Sequence, residues 1–163
     1  MIRVRLSERQ ARERLAGAPV ARLGTADASG QPHVVAITFA VEGDRIYTAV
    51  DAKPKTTANL KRLRNIRENP RVTVLADHYE DDWGALWWAR ADGRASILDG
   101  THEMRGPIGL LVRRYGQYAG QPPGGPVIAV TVERWTGWSA AGRGDLAGAA
   151  DDEAGEQDHL PGW

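Results

Sequence analysis

The chain has no cysteine, which removes disulfides, thiolate metal sites and thiol nucleophiles together. It has no apolar run approaching the roughly 20 residues that a membrane helix needs. Its opening, "MIRVRLSE", lacks the apolar centre of a signal peptide. The expectation is a cytoplasmic protein with no membrane partner. Neither sign of charge is in excess, with 21 Lys and Arg against 21 Asp and Glu. No internal repeat is present. The histidines His33, His78, His102 and His159 are scattered, without the i, i+4 pair of a helical metal site.

What is there fits one soluble domain: 163 residues, 42% hydrophobic and 26% charged, enough for a single core. The charge is unevenly spread. From Ala141 to Trp163 one base, Arg143, faces six acids, a net −5, so residues 1–140 carry +5. The segment 141–163 has the composition of a disordered, solvated tail, although its end, "LPGW", leaves docking open. The body, 1–140, is the folded domain.

Within the body, "SERQ" at Ser7 is a capping box that starts a helix running to about Ala16. Short strands follow, set apart by turn chemistry: Val20 to Ala26, Pro32 to Val41, and Arg45 to Val50. "PHVVAITFAV" has β-branched and aromatic residues on both parities and predicts a strand buried on both faces or standing in a barrel wall. Leu60, Leu63 and Ile66 mark the apolar stripe of a helix that ends at Asn69-Pro70. "RVTVLAD" reads as a strand, "GALWWARADGRASIL" as a hairpin turning at Asp92-Gly93. A helix lies between Thr101 and Arg114, started or kinked by Pro107. "YGQYAGQPPGGP" is a loop, and "VIAVTVERWTGWSA" supplies the last strands. Six or seven strands with inserted helices predict an α+β fold built on an antiparallel barrel.

The segment "VDAKPKTT" joins a strand to that first internal helix. A helix starting near Thr56 or Thr57 places unpaired amides, two hydroxyls and the Lys53 and Lys55 ammonium groups together, which is a phosphate site in principle. A solvated lysine pair before a helix is the plainer alternative. "DHYEDD" gathers four carboxylates around His78 but lacks the alternation and turn glycine of a calcium loop, so it reads as a solvated loop and no metal site is assigned. "TTANLKRLRNIR" is basic, yet without aromatic interleaving it reads as a solvated helix face rather than a nucleic-acid surface.

Taken in order, "ARLGTADASGQPHVVAITFAVEGDRIYTAVDAKPKTTANLKRLRNIRENPRVTVLAD", "DHYEDDWGALWWARADGRASIL" and "RRYGQYAGQPPGGPVIAVTVERWTGW" resemble the flavin/deazaflavin oxidoreductases of the pyridoxamine 5'-phosphate oxidase-like superfamily. The branch most resembled is the coenzyme F420-dependent one. The resemblance implies a split β-barrel with short helices, working as a homodimer with the cofactor at the subunit interface. It implies that Val35, Ala36 and Ile37 offer backbone contacts to the ring, that Tyr47, Thr48 and Ala49 line the neighbouring strand, and that Lys53, Lys55, Thr56 and Thr57 hold the phosphate. It also implies that hydride passes between reduced F420 and an unsaturated small molecule. An FMN-dependent oxidoreductase or a non-catalytic cofactor carrier remains the alternative.

Such chemistry needs few special side chains, because the cofactor carries the hydride. An apolar wall opposite the ring is expected from among Trp83, Trp87, Trp88, Trp135 and Trp138; Trp87 and Trp88 face opposite sides of their strand, so one of them is core or interface. Trp88 is the candidate cofactor contact. Arg90, on the same face, meets the cofactor or makes a plain salt bridge. The end of the chain, "VERWTGWSAAGRGD", lacks the Arg-x-His signature of true pyridoxamine 5'-phosphate oxidases, which argues against that activity.

Overall fold

The structure, a computed structural model, describes residues 3–51 and 60–140. The acidic segment 141–163 lies outside them. Eight antiparallel strands form one curved sheet: β1 (Arg3–Arg5), β2 (Ala21–Ala26), β3 (Pro32–Ile37), β4 (Ala40–Glu42), β5 (Arg45–Ala49), β6 (Arg71–His78), β7 (Trp87–Leu98) and β8 (Val127–Ala140). Their order is β3-β2-β6-β7-β8-β5-β4, with β1 added beside the end of β8. Among the described residues three α-helices are inserted: α1 (Glu8–Gly17), α2 (Lys61–Glu68) and α3 (Thr101–Arg114). This is the expected α+β architecture.

Alternation explains the layering. Leu23, Val74, Ala89, Ala91, Ile46 and Val130 point to one face of the sheet and are fully buried there. Helix α1 closes that face with Ala11 and Leu15, and α2 closes it with Leu63 and Ile66. Each large aliphatic side chain so buried contributes about 1.5–3 kcal/mol. The α1 capping box is present: the Gln10 amide donates to Ser7 Oγ at 3.2 Å and the Ser7 amide to Gln10 Oε1 at 2.9 Å. Helix α3 packs outside the core, against β4, β5 and β8, and buries Leu111.

Four expectations are corrected. Asp92-Gly93 is not a hairpin turn, because β7 runs unbroken for 12 residues. It sits opposite a β-bulge: Asp92 pairs with Arg134 and Gly93 with Val132, so Glu133 is the extra residue on β8. The bulge switches the inward parity of β8 from Ile128, Val130 and Val132 to Trp135 and Gly137, while β7 keeps one parity throughout. A Cβ at Gly93 would lie 2.2 Å from the Thr131 carbonyl oxygen, so the glycine answers a close backbone approach and not a turn.

Second, "VIAVTVERWTGWSA" forms a single 14-residue strand, β8. Third, Pro107 does not start α3, which begins six residues earlier and continues through it; the Glu103 carboxylate accepts from the amides of Asp99 (3.2 Å) and Gly100 (3.0 Å) and fixes the earlier start. Fourth, "PHVVAITFAV" is not buried on both faces. It breaks after Ile37 into β3 and β4. These are the two end strands of the sheet path, and Val34 is 65% exposed.

Helix α2 also straps the β2–β3 turn. Asp27 accepts from the Ser29 hydroxyl (2.7 Å) and from the amides of Ser29 (3.0 Å) and Gln31 (2.9 Å). Lys61 approaches its other oxygen at 3.6 Å, Glu68 accepts from the Ala28 amide at 3.0 Å, and Gly30 takes the positive φ of 86° that the turn requires. The Ser29 hydroxyl first, then the Gln31 amide, pull the Asp27 carboxyl from its ordinary 3.8 to about 2.

Both the bulge and the turn can be probed by substitution. Gly93→Ala forces the bulge apart and should cost about 1–3 kcal/mol in urea unfolding, whereas Gly109→Ala, where a Cβ meets only the Arg113 guanidinium at 3.4 Å, should gain roughly 0.5–1 kcal/mol. Because the folded-state pKa of Asp27 is depressed, its contribution is complete above the ordinary value of 3.8 and is lost as pH falls towards about 2. Asp27→Asn should therefore flatten the fall in urea midpoint over that window and leave its shape near neutrality unchanged.

Candidate functional site

Among the described residues β3 is paired on one side only, by β2. Its inward residues are Val35, which packs on the core, and the buried Ile37. Its outward residues, Val34 and Ala36, are exposed. Of the three residues expected at the ring, Ala36 alone turns its side chain to the open face, and Val35 and Ile37 have only their main chain to offer. On β5, Tyr47 is paired with both Ala40 and Ala129, so its backbone is spent and its half-buried side chain is what remains. Thr48 and Ala49 pair with Ile128 and Val127 of β8 but extend past the end of β4. Thr48 is buried.

Between Ile37 and Ala40 the chain passes from one end of the sheet to the other, and the ladder cannot pair its main chain there. Side chains from the end of α3 do so. Arg114 donates to the Phe39 carbonyl at 2.7 Å and to the Ala18 carbonyl, with its guanidinium 4.4 Å from the Phe39 ring centroid. The Tyr115 hydroxyl receives the Phe39 amide at 3.1 Å and lies 3.0 Å from the Pro19 carbonyl. The Tyr118 hydroxyl is 2.8 Å from Thr38 Oγ1 and 3.5 Å from Asp51 Oδ1. In the sequence "YGQY" reads only as part of a loop. Its signal is two tyrosines three apart directly after a basic helix end.

Lys53, Lys55, Thr56 and Thr57 lie outside the described residues. What borders them is clear. The expected helix start near Thr56 or Thr57 lies outside the described residues; α2 runs from Lys61, with Leu60 at its N-cap in extended conformation without a side-chain cap and packed on the core. Arg62 lies half buried, so desolvation lowers its pKa and the charge of Asp51 opposes this. Thus the residues on either side of the basic segment interact electrostatically.

Trp88 and Arg90 share the open sheet face with Ala36. Register places Ala36, Arg22, Leu75, Arg90 and Thr136 in one row across five strands, which sets Arg90 three strand spacings, about 14 Å, from Ala36. Arg90 donates to Asp92 at 3.0 Å and stacks 5.8 Å from the Trp88 ring. Asp92 also accepts from Thr73 Oγ1. Trp88 stands opposite Trp138 in the ladder, with Arg3 at 5.5 Å from the latter. Trp135 is core, its indole donating to Asp44 at 3.1 Å. Trp87 packs against the core under Arg14, and Trp83 is exposed. The carboxylates of "DHYEDD" disperse: Asp77 meets Arg22 at 3.4 Å, Glu80 meets His78 at 2.5 Å, and Asp82 accepts from the Gly84 amide at 2.9 Å.

Comparison with solved structures places this geometry. A FAD-binding protein from Mesorhizobium loti superposes with a TM-score of 0.66 at 23% identity, covering 86% of this chain and all of its own. HutZ, the heme storage protein of Vibrio cholerae, gives 0.61 at 19% identity over 78% of this chain and 90% of its own. The FAD-binding protein of Mycobacterium smegmatis gives 0.54 at 14% identity over 84% and 97%. These likenesses show the fold, a split β-barrel. No curated protein matches the chain. The family model described as pyridoxamine 5'-phosphate oxidase matches residues 7–139, and with the open-edged split barrel it covers, the chain belongs to that family.

Proposed function

We propose that this chain is a dimeric oxidoreductase of the F420-dependent branch, reducing an unsaturated small molecule. The observation that carries the cofactor reading is the open edge of β3. A flavin or deazaflavin ring presents a flat face and a pyrimidine rim of alternating acceptors and donors. An edge strand with unladdered main-chain groups, and with Val34 and Ala36 as its only outward side chains beyond Pro32, matches both. Val35, Ala36 and Ile37 contact the rim through their main chain, Tyr47, Thr48 and Ala49 border the adjoining strand, and Lys53, Lys55, Thr56 and Thr57 hold the phosphate. Once bound, the cofactor supplies the hydride; the chain's residues orient the ring and keep water from it.

The F420 assignment rests on the resemblance of "AVDAKPKTT" and on the cations of α2 that follow. Arg62 and Arg64 suit the long acidic extension of that cofactor, whereas Lys61 is already engaged by Asp27. A flavin is the second reading, favoured by the FAD-binding proteins among the similar structures. A second copy of the chain is the partner that suits the open sheet face, where Val34, Leu75, Trp88 and Trp138 remain at least partly exposed. Trp88 then reaches a cofactor at the interface, and Arg90 stays with Asp92.

Fluorescence titration with F420 and, separately, FMN tests the cofactor. Selective F420 binding is the expected result; selective FMN binding moves the protein to the second reading, and binding of neither removes the oxidoreductase assignment. Replacing both Lys53 and Lys55 by Ala should weaken binding, by about 1.5–3 kcal/mol for each charge-assisted hydrogen bond removed, at an unchanged melting temperature. Sedimentation should give a dimer burying about 1,200–2,000 Å² in total, and Val34→Glu should shift it towards monomer without unfolding the protomer. A monomeric wild type would refute the shared interface.

A further inference from the structure

The three side chains that hold the crossing after β3 do different work, and one of them, Tyr118, also reaches the end of β5. Arg114 and Tyr115 satisfy main-chain groups of Ala18, Pro19 and Phe39, so losing either leaves polar backbone unpaired in a partly buried place. Tyr118 touches no main chain through its hydroxyl. It bonds two side chains, Thr38 Oγ1 at 2.8 Å and Asp51 Oδ1 at 3.5 Å. A carboxylate only accepts, so Tyr118 donates to Asp51 and Thr38 donates to Tyr118. The bonds then run one way, from the residue after β3 to the second residue after β5.

Those strand ends are not paired with each other: β3 is one end of the sheet path and β5 is next to the other, joined through β2, β6, β7 and β8. Across the split the short crossing leads to β4, which pairs with β5, and the Tyr118 hydroxyl adds a side-chain tie by hydrogen-bonding on both sides. Its ring is held independently, edge-on to Tyr115 with centroids 5.9 Å apart, and Tyr115 is itself fixed by Phe39 and Pro19. The hydroxyl is thus presented from a rigid mount.

We infer that Tyr118 is a positioning residue for the cofactor: by tying Thr38 to Asp51 it fixes how far the strand that carries the ring stands from the strand end where the rest of the cofactor is held. This rests on the reading that the cofactor spans from β3 to beyond β5. A rigid span matters because a ligand gripped at two places gains affinity only when both grips fit at once. The bare ring, gripped at one place, is indifferent to the span.

The test titrates wild type and Tyr118→Phe with the whole cofactor, F420 or FMN as the wild type selects, and with the matching bare ring, which for FMN is lumiflavin. Tyr118→Phe should weaken the whole cofactor roughly three- to tenfold, the range of one hydrogen bond, and leave both bare-ring affinity and melting temperature unchanged. Thr38→Val, which breaks the same chain from its other end, should produce the same loss. The double variant should lose no more than either single one. Equal losses for ring and cofactor, additive losses, or no loss would overturn the inference while leaving the cofactor assignment intact. A wild type that binds neither F420 nor FMN would bring down the assignment and this inference with it.

Discussion

The arrangement of the site depends on a main chain that must cross from one end of a sheet to the other without a ladder to pair it. Buried polar backbone is costly when unpaired, and at Thr38 and Phe39 the sheet offers nothing. Arg114 and Tyr115, brought there from the end of α3, supply the missing partners. With the crossing fixed, β3 can remain an edge strand and β4 can start the other side of the split. The planar, five-donor guanidinium suits this task, since it meets carbonyls of two separate segments and still stacks on Phe39.

A second constraint acts at the far side of the barrel. Strand β8 pairs with β5 over its first half and with β1 over its last residues, while β7 follows it throughout. One strand can serve both neighbours and keep its apolar side inward only if its parity changes midway. The bulge at Glu133 makes that change, and Asp44 secures it: its carbonyl takes the Val132 amide at 2.8 Å, and its carboxylate takes the Trp135 indole at 3.1 Å. Without the switch, Trp135 would face outward and Trp138 inward. The place of Trp138 on the open face, opposite Trp88, is therefore a product of one extra residue.

Much of the fold was legible because local signals agreed with it. The Ser7 capping box, the Leu63 and Ile66 stripe, the Asn69-Pro70 stop and the β-branched runs each act over a few residues and survive in the structure. What misled were features whose meaning is set by distant chain. Asp-Gly between apolar runs is a strong hairpin signal, but at Gly93 the glycine is required by the Thr131 carbonyl on another strand. Apolar residues on both parities of "PHVVAITFAV" suggested double burial, whereas the segment is broken by the crossing and half exposed. Asn65 sits within the α2 sequence like any polar helix residue, yet it is fully buried and donates to Thr25 Oγ1 at 3.0 Å. No periodicity reveals that. For the site, the strands named in advance are in place, while the Arg114, Tyr115 and Tyr118 bridge was hidden because its partners are 67 or more residues away.

The edge strand also explains why side-chain chemistry says so little about the ligand. Val35 and Ile37 are committed to the core, so a ring lying along β3 meets main chain together with Val34 and Ala36. Main-chain donors and acceptors are the same for any sequence, and a flat heterocycle of suitable rim chemistry satisfies them equally well. Proteins sharing this fold include FAD-binding ones and a heme storage protein, which is what a scaffold with a generic central grip allows. Discrimination then falls to the periphery, to the groups that hold the rest of the cofactor and to the geometry connecting them with β3. On the reading proposed above, those are the Lys53–Lys55 segment, the Arg62 and Asp51 charges on either side of it in the sequence, and the hydroxyl chain through Tyr118.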